Sequence, residues 1–436
     1  MKKAAVATLG CKVNQVESGS IIEQLTDLYY TIVDFSQPAD LYIINTCTVT
    51  NRTDFKSRSL IRQALKQKNI DPGVRIIVTG CYAQKEPDEV RALEGIDVLV
   101  DNQAKVDVRR WLDNAEYHFQ DIMTADEMLW KPIKSLHEHT RAFLKIQDGC
   151  DYYCSYCAVP YGRGHVRSLD FDKVIEQAEI LVDNGYKEIV LSGVNLGLYR
   201  DKKTAKSLAE VIKALVEIEG LNLLRLSSIE PDLWSEELLQ TIKLSDKICS
   251  HFHIPLQSGS DSVLQRMGRR YFATHVSQLV SKLRAIRPDC AIGLDVISGF
   301  PGETDDEHQQ TIDFLTELNP AYLHVFGYSK RKGTPAAKMT NQINGEISRQ
   351  RVQELTNLSN TAKERYKQSL ITEEVSLSGI VEKVQNGFAR GLSDHYIRLY
   401  ISSAKLSEND FVEGTAVRLD KDGIMLKNDA PDGNSR

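Results

Sequence analysis

Short apolar runs at 4–9, 41–44, 75–79 and 97–100 alternate with amphipathic stretches at 21–28, 59–70 and 88–93. Strands that alternate with helices pair in parallel, so residues 1–115 are expected to form an open parallel α/β sheet. Residues 116–139 read as a polar connector containing Pro132. Six further strand-like runs follow, at 141–146, 188–192, 223–227, 251–256, 291–297 and 322–327. Helical periodicity at 171–184, 207–217 and 275–287 lies between several of them, which predicts a partial (β/α)6 barrel over 140–366. The helical period is lost over 367–436. Alternating runs at 375–384, 396–400, 415–419 and 424–426, with turn signals at Asn386-Gly387 and Asp422-Gly423, predict a small antiparallel β-barrel and a frayed tail after Asn428. The expected class is therefore α/β with three units.

Composition adds exclusions. The chain has 436 residues, 42% hydrophobic and 26% charged, the balance of a soluble multi-domain protein. No apolar run approaches the roughly 18 residues of a membrane span. The basic start Met1-Lys2-Lys3 leads into an apolar stretch too short for a signal peptide, so a cytoplasmic protein without membrane contact is expected. Net charge is −6, from 54 Lys+Arg against 60 Asp+Glu, which argues against indiscriminate nucleic-acid binding but permits a local basic patch. Eight cysteines in such a chain point to metal ligation or catalysis rather than disulfides.

Three of them form Cys150-x3-Cys154-x2-Cys157, directly after the first strand of the second unit. Such a loop can wrap three thiolates around an iron–sulfur cubane, which normally takes four cysteines. The next cysteine is Cys249, so one iron would stay open to a ligand. The alternative is structural zinc with His165 as fourth ligand, at an unusual spacing. Three more cysteines, Cys11, Cys47 and Cys81, each stand just after a predicted strand. Strand ends of a parallel sheet share one edge, so three thiolates could converge there, with Gly10 and Gly80 allowing close backbone approach. The alternative is three buried free cysteines. Cys249 and Cys290 fit neither set and read as structural.

On these residues the sequence resembles a known family. The Cys150–Cys157 loop, with Tyr156 before its last cysteine, resembles the signature of radical S-adenosylmethionine enzymes. Together with Cys11, Cys47, Cys81 and a TRAM-like C-terminal barrel, it resembles the methylthiotransferases. Phrases such as Thr8-Leu9-Gly10-Cys11-Lys12-Val13-Asn14-Gln15, Asn45-Thr46-Cys47-Thr48-Val49-Thr50 and His324-Val325-Phe326-Gly327-Tyr328-Ser329 look like the branch acting on N6-threonylcarbamoyladenosine in tRNA (the MtaB type). Branches acting on isopentenyladenosine or on a ribosomal-protein aspartate usually carry other phrases after the first cysteine. The resemblance implies two 4Fe-4S clusters, one on each cysteine trio, and S-adenosylmethionine as both radical source and methyl donor. It implies that a 5′-deoxyadenosyl radical takes hydrogen from carbon 2 of adenine, where sulfur and methyl are then added. It implies as partners a tRNA anticodon loop, a reductant such as flavodoxin or ferredoxin, and a sulfur donor.

Candidate cofactor contacts are residues near predicted barrel-strand ends: Tyr156, Ser192, Gly193, Asn195, Glu230, Gln257, Ser258 and Asp295. The alternative for Asp295 is a helix-cap or barrel-network carboxylate. For RNA, the segment 52–68 holds six basic residues, including Arg52, Lys56 and Arg58, against one acid, Asp54. Arg163, Arg167, Arg266, Arg269, Arg270, Lys330, Arg331 and Lys332 are expected on loops at the barrel mouth, with Tyr161, Tyr271 and Tyr328 beside them to stack on bases. The alternative for each cluster is a solvated charged face. Residues 371–436 carry eight basic and eleven acidic residues, so any RNA contact there rests on a small face such as Lys383, Arg390 and Arg398. A zinc-stabilised RNA-binding protein without chemistry is the reading from another class.

Overall fold

The structure is a computed structural model that describes residues 1–112, 117–135, 140–402 and 405–428. Part of the 116–139 connector, and the whole tail beyond Asn428, lie outside the described residues.

The first unit is a five-stranded parallel sheet of β1 (Lys3–Thr8), β2 (Thr31–Val33), β3 (Leu41–Thr46), β4 (Arg75–Gly80) and β5 (Val98–Leu99), in the order β2-β1-β3-β4-β5. Helix α1 (Lys12–Asp27) follows β1, α2 (Asn51–Ile70) follows β3, and the short α3 (Cys81–Lys85) and α4 (Pro87–Arg91) follow β4. The central strand β3 is buried at all six positions, as its continuous apolar run requires in a sheet covered on both faces. Helix α1 begins nine residues before the amphipathic stretch that marks it in the sequence. Its first half buries Asn14, Glu17, Ser18 and Ser20, so it has no apolar stripe there to read. Helix α2 also starts early. Thr50 accepts from the Thr53 amide (3.2 Å) and donates its own amide to Thr53 Oγ1 (2.8 Å), so a threonine stands where a capping box usually has Glu or Gln.

The second unit contains β6 (Ala142–Lys145), β7 (Gln147–Asp148), α5 (Val159–Arg163), β8 (Arg167–Ser168), α6 (Phe171–Asp183), β9 (Glu188–Ser192), α7 (Leu208–Val216), β10 (Leu223–Leu226), α8 (Glu236–Leu244), β11 (His251–Gln257), α9 (Asp261–Met267), α10 (Ala273–Ile286), β12 (Ala291–Ser298), α11 (Asp305–Leu318), β13 (Tyr322–Gly327) and α12 (Gly345–Thr372). The major strands form two parallel triplets, β10-β9-β6 and β11-β12-β13. A parallel bridge between Leu224 and Ile248 brings the triplets together, giving an open, six-stranded partial barrel. One large apolar cluster, with Val190, Leu224, Ile254 and Leu294 at its centre, fills it.

The third unit is a closed five-stranded barrel of β14 (Ser376–Gln385), β15 (Phe388–Ser393), β16 (Arg398–Ser402), β17 (Phe411–Asp420) and β18 (Gly423–Asn428). The Asn386-Gly387 turn joins β14 to β15, and a two-residue turn of Lys421-Asp422, one position before the expected Asp422-Gly423, joins β17 to β18. Closure removes the open edges of a small sheet. The barrel docks near the amino ends of the central strands. Arg225 is fully buried there, paired with Glu188 (2.7 Å) and donating to the carbonyls of Ser393 (2.8 Å) and Asp394 (3.0 Å). His395 sits between Asp394 (2.8 Å) and Asp289 (3.2 Å), which hold its imidazole well above the ordinary histidine value, at about 9.

Candidate functional site

The carboxyl ends of β1, β3 and β4 deliver Cys11, Cys47 and Cys81 to one edge of the first sheet. The approach is tight. Gly10, at φ +100°, lies so close to Cys47 that a Cβ would stand 2.7 Å from its Sγ. Gly80, at φ +97°, would place a Cβ 2.3 Å from the Thr46 carbonyl. Both positions need a backbone that L side chains rarely adopt and space that only glycine leaves. Asn14 ties the edge together, donating to the carbonyls of Leu9 (2.6 Å) and Thr46 (3.0 Å).

Cys150, Cys154 and Cys157 wrap the wall of a chamber of ≈ 370 Å³, within the size range of small-molecule sites. Asn195, Glu230, Gln257, Asp295 and Tyr156 complete much of that wall, and Val49 and Thr50, just past Cys47, close one side. The chamber therefore borders both units. Helix α5 links the two cysteine sets directly. It starts two residues after Cys157, and at its end the buried Arg163 donates from Nε to Cys81 Sγ (3.2 Å).

That arginine is the hub of a buried charge network. Its guanidinium meets Glu17 Oε1 (2.5 Å) and Oε2 (3.0 Å), Asp148 (3.2 Å) and the Asn14 side-chain oxygen. Lys105 and Lys145 also reach Glu17, at 2.5 and 2.6 Å, and Lys145 reaches Asp148 at 2.6 Å. These cations hold the Glu17 carboxyl at about 2 despite full burial, and Asp148 well below the carboxylate range.

At the other set, Arg269 donates to Cys154 Sγ (3.1 Å), lies 3.3 Å from the Tyr156 hydroxyl and pairs with Glu230. Burial raises the Glu230 carboxyl to about 7 against the pull of that arginine. Desolvation also shifts the Cys150 and Cys154 thiols upward, and those of Cys47 and Cys157 to about 12. Buried neutral thiols of this kind release protons when a metal binds. Each trio thus offers three sulfur donors and a cationic donor to one sulfur, and Cys150, Cys154 and Cys157 line the chamber. Asn195 adds a buried, unpartnered Oδ1 at the chamber, with its Nδ2 3.9 Å from Cys150 Sγ. This donor set suits iron–sulfur clusters lacking a fourth protein ligand.

Several of the expected contact residues are buried or paired within the chain. Ser192 and Ser258 are about 1% exposed and lie behind the wall, Ser192 bonded to the Val190 carbonyl and Ser258 to Thr311. Gly193 packs on Gln147, where a Cβ would meet Oε1 at 2.9 Å. Arg269 and Arg331 are both paired within the chain. The first lines the chamber, where it pairs with Glu230. The second is 3% exposed and binds Asp54 (2.5 Å), Asn51 (2.5 Å) and Thr48 (2.6 Å), riveting the barrel to α2. Arg163 and Arg167 are buried too, Arg266 pairs with Glu307 (2.7 Å), and Lys332 binds Glu86 (2.8 Å). Tyr271 is 2% exposed, its hydroxyl donating to the Pro255 carbonyl. Long basic side chains that reach across a domain interface cannot be told from solvated ones by sequence. Arg52, Lys56, Arg270 and Lys330 remain exposed, and Arg58 is half-buried beside the Tyr82 hydroxyl (3.0 Å). Arg270 stacks on Tyr152 (3.9 Å to the ring centre).

Two family models match the chain: the uncharacterized protein family UPF0004 over residues 3–101 and the radical SAM superfamily over 144–315. The chain is 39% identical to the threonylcarbamoyladenosine tRNA methylthiotransferase MtaB of Bacillus subtilis, covering 92% of this chain and 90% of that protein. It belongs to the radical S-adenosylmethionine methylthiotransferases. The MtaB of Aquifex aeolicus is 36% identical, covering 84% of this chain and 89% of its own. The tRNA-2-methylthio-N(6)-dimethylallyladenosine synthase of Natranaerobius thermophilus is 32% identical over 85% and 84%. Among solved structures, the radical S-adenosylmethionine methyltransferase TsrM of Kitasatospora setae, with cobalamin and a [4Fe-4S] cluster bound, superposes with a TM-score of 0.58. At 14% identity, over 77% of this chain and 76% of that one, this shows a shared fold. A family member of this kind is an enzyme that works with S-adenosylmethionine and 4Fe-4S clusters.

Proposed function

We propose that this chain methylthiolates carbon 2 of N6-threonylcarbamoyladenosine beside the anticodon of tRNA. The observation that carries the reading is the single chamber bordered by the Cys150–Cys157 loop on one side and by the segment just past Cys47 on the other. Its nucleoside preference is drawn from relatives named MtaB at 34–39% identity over most of the chain. The working units of the proposal are 1–115, 140–366 and 367–436, joined by the connector 116–139. A flavodoxin or ferredoxin, a sulfur donor and a cytoplasmic setting complete it. Among the described residues, no helix is long and apolar enough to cross a membrane.

In this reading Cys150, Cys154 and Cys157 hold the cluster that binds S-adenosylmethionine, and Cys11, Cys47 and Cys81 hold the second. When bound, these groups supply the radical chemistry needed to break an aromatic C–H bond that no side-chain base can ionise. The chain's own residues do the rest. Arg163 and Arg269 donate hydrogen bonds to one sulfur of each trio, which stabilises negative charge there. Tyr156, Gln257 and Val49 wall off water, and Asn195 presents an unsatisfied acceptor to a ligand in the chamber. The adenosine must leave its stack to enter, and the exposed Tyr153 and Tyr161, 6.1 Å apart edge to face, offer rings to neighbouring bases.

Mass spectrometry of tRNA nucleosides from a strain lacking this gene tests the reading. The methylthiolated threonylcarbamoyladenosine is expected to disappear and its unthiolated precursor to accumulate. Its persistence, or loss of the dimethylallyl nucleoside's methylthio group instead, would overturn the assignment.

The C-terminal barrel presents Lys383, Arg390 and Lys421 with Phe388 and Tyr400 along one groove, a basic and aromatic face suited to RNA, while Arg398 is paired with Asp422 (2.5 Å). Lys383→Glu with Arg390→Glu is expected to weaken tRNA binding in a filter assay. The log–log salt slope should fall by about 0.7 per lost contact. An unchanged slope would remove this face from the tRNA surface.

A further inference from the structure

One cluster beside the chamber is used by neither cysteine trio. His253 on β11, Asp295 on β12 and His324 on β13 stand on three adjacent strands and direct one ligand atom each toward a common point. His253 Nε2 is 3.3 Å from Asp295 Oδ1, His324 Nδ1 is 3.3 Å from the same oxygen, and the two nitrogens are 3.2 Å apart. The three edges are nearly equal, at or past the outer limit for a hydrogen bond, and the N···N edge joins two atoms that both act as metal ligands when neutral.

We propose that His253, Asp295 and His324 form a mononuclear divalent metal site of the zinc class. The triangle fits that ion. A tetrahedral zinc with bonds of about 2.0–2.1 Å sets its donors about 3.3–3.4 Å apart. An octahedral magnesium at a similar bond length sets neighbouring donors only about 2.9 Å apart, and two imidazoles do not suit that hard ion. The surroundings fit as well. Ser228 Oγ lies 2.6 Å from His253 Nδ1, so the hydroxyl can accept that N–H and leave the Nε2 lone pair for the metal. Three protein ligands leave a fourth position open, as in reactive zinc sites. Asp295 and Ser228 both line the chamber, so that position faces the proposed substrate's space and takes water or an oxygen donor from the molecule held there. The metal site stands on its own geometry; only the identity of that oxygen donor rests on the function proposed above.

The test uses the full chain with its clusters loaded anaerobically, so that the six cysteines are already occupied, incubated with zinc sulfate and desalted. Elemental analysis is expected to find about one zinc per chain beyond the iron, and zinc-edge X-ray absorption is expected to show nitrogen and oxygen neighbours at about 2.0 Å and no sulfur. His324→Ala and Asp295→Asn should each lose the zinc with iron content unchanged. Ser228→Ala, which keeps all three ligands, should weaken zinc binding about 10–100-fold. Sulfur neighbours, zinc retained by both ligand variants, or no retained zinc in the wild type would each overturn the site. Nucleoside analysis is a separate readout: a different RNA product would revise the substrate and leave the zinc result standing.

Discussion

Replacing Cys150, Cys154 and Cys157 together with Ala is expected to reduce S-adenosylmethionine cleavage to background. Iron should fall from about eight to about four ions per chain, as one of two four-iron clusters is lost. The three thiols share one loop on the chamber wall, and their sulfurs are the ones placed to hold a group that meets a ligand there. Replacing Cys11, Cys47 and Cys81 should give the complementary result, with 5′-deoxyadenosine still formed on reduction and no methylthiolated nucleoside made. The pair of variants thus separates the two sites by product. Cleavage that survives loss of the first trio, or vanishes only with the second, would reverse the roles assigned here.

The largest expected change in stability comes from Arg163→Leu. That guanidinium is almost wholly buried, joins α5 to Glu17 of α1 and to Asp148, and touches Cys81. Removing it leaves two buried carboxylates and the Asn14 oxygen short of donors. Breaking one partner out of a buried charge cluster costs about 3–5 kcal/mol, measurable as a lower urea midpoint. Arg163→Lys keeps the charge but loses the fork that meets both carboxylates, so it should recover little. The pH dependence has a definite sign. Glu17 is held at about 2 in the folded chain against an ordinary 4.5, and Asp148 is lowered as well. Their stabilisation is complete above the ordinary carboxylate range and is lost as pH falls from there toward 2. Acid unfolding of the wild type should therefore be steep over that window and shallower in Arg163→Leu. A loss below about 1 kcal/mol, with an unaltered acid limb, would show that Lys105 and Lys145 suffice.

Much of this architecture can be read in the residue pattern because it rests on local signals. The six barrel strands are short, mostly apolar runs, the Asn386-Gly387 turn carries its own backbone geometry, and Cys11, Cys47 and Cys81 each follow a strand. Long-range pairing is where local reading fails. Glu17 meets residues 88, 128 and 146 positions away, and nothing near it in sequence announces Lys105, Lys145 or Arg163. The same gap hides Arg331, read as part of an RNA face, which is buried against Asp54 of α2. The meeting of His324 with His253 and Asp295 emerges only when β11, β12 and β13 are set side by side.

In the proposed function, two cysteine trios hold two separate iron–sulfur centres beside one chamber. Mössbauer spectroscopy on anaerobically reconstituted, iron-57-enriched protein tests it most directly, read with total iron and sulfide. Two 4Fe-4S clusters per chain are expected, one lost in each triple-cysteine variant and the other retained. A single cluster in the wild type, or both lost with either trio, would contradict it.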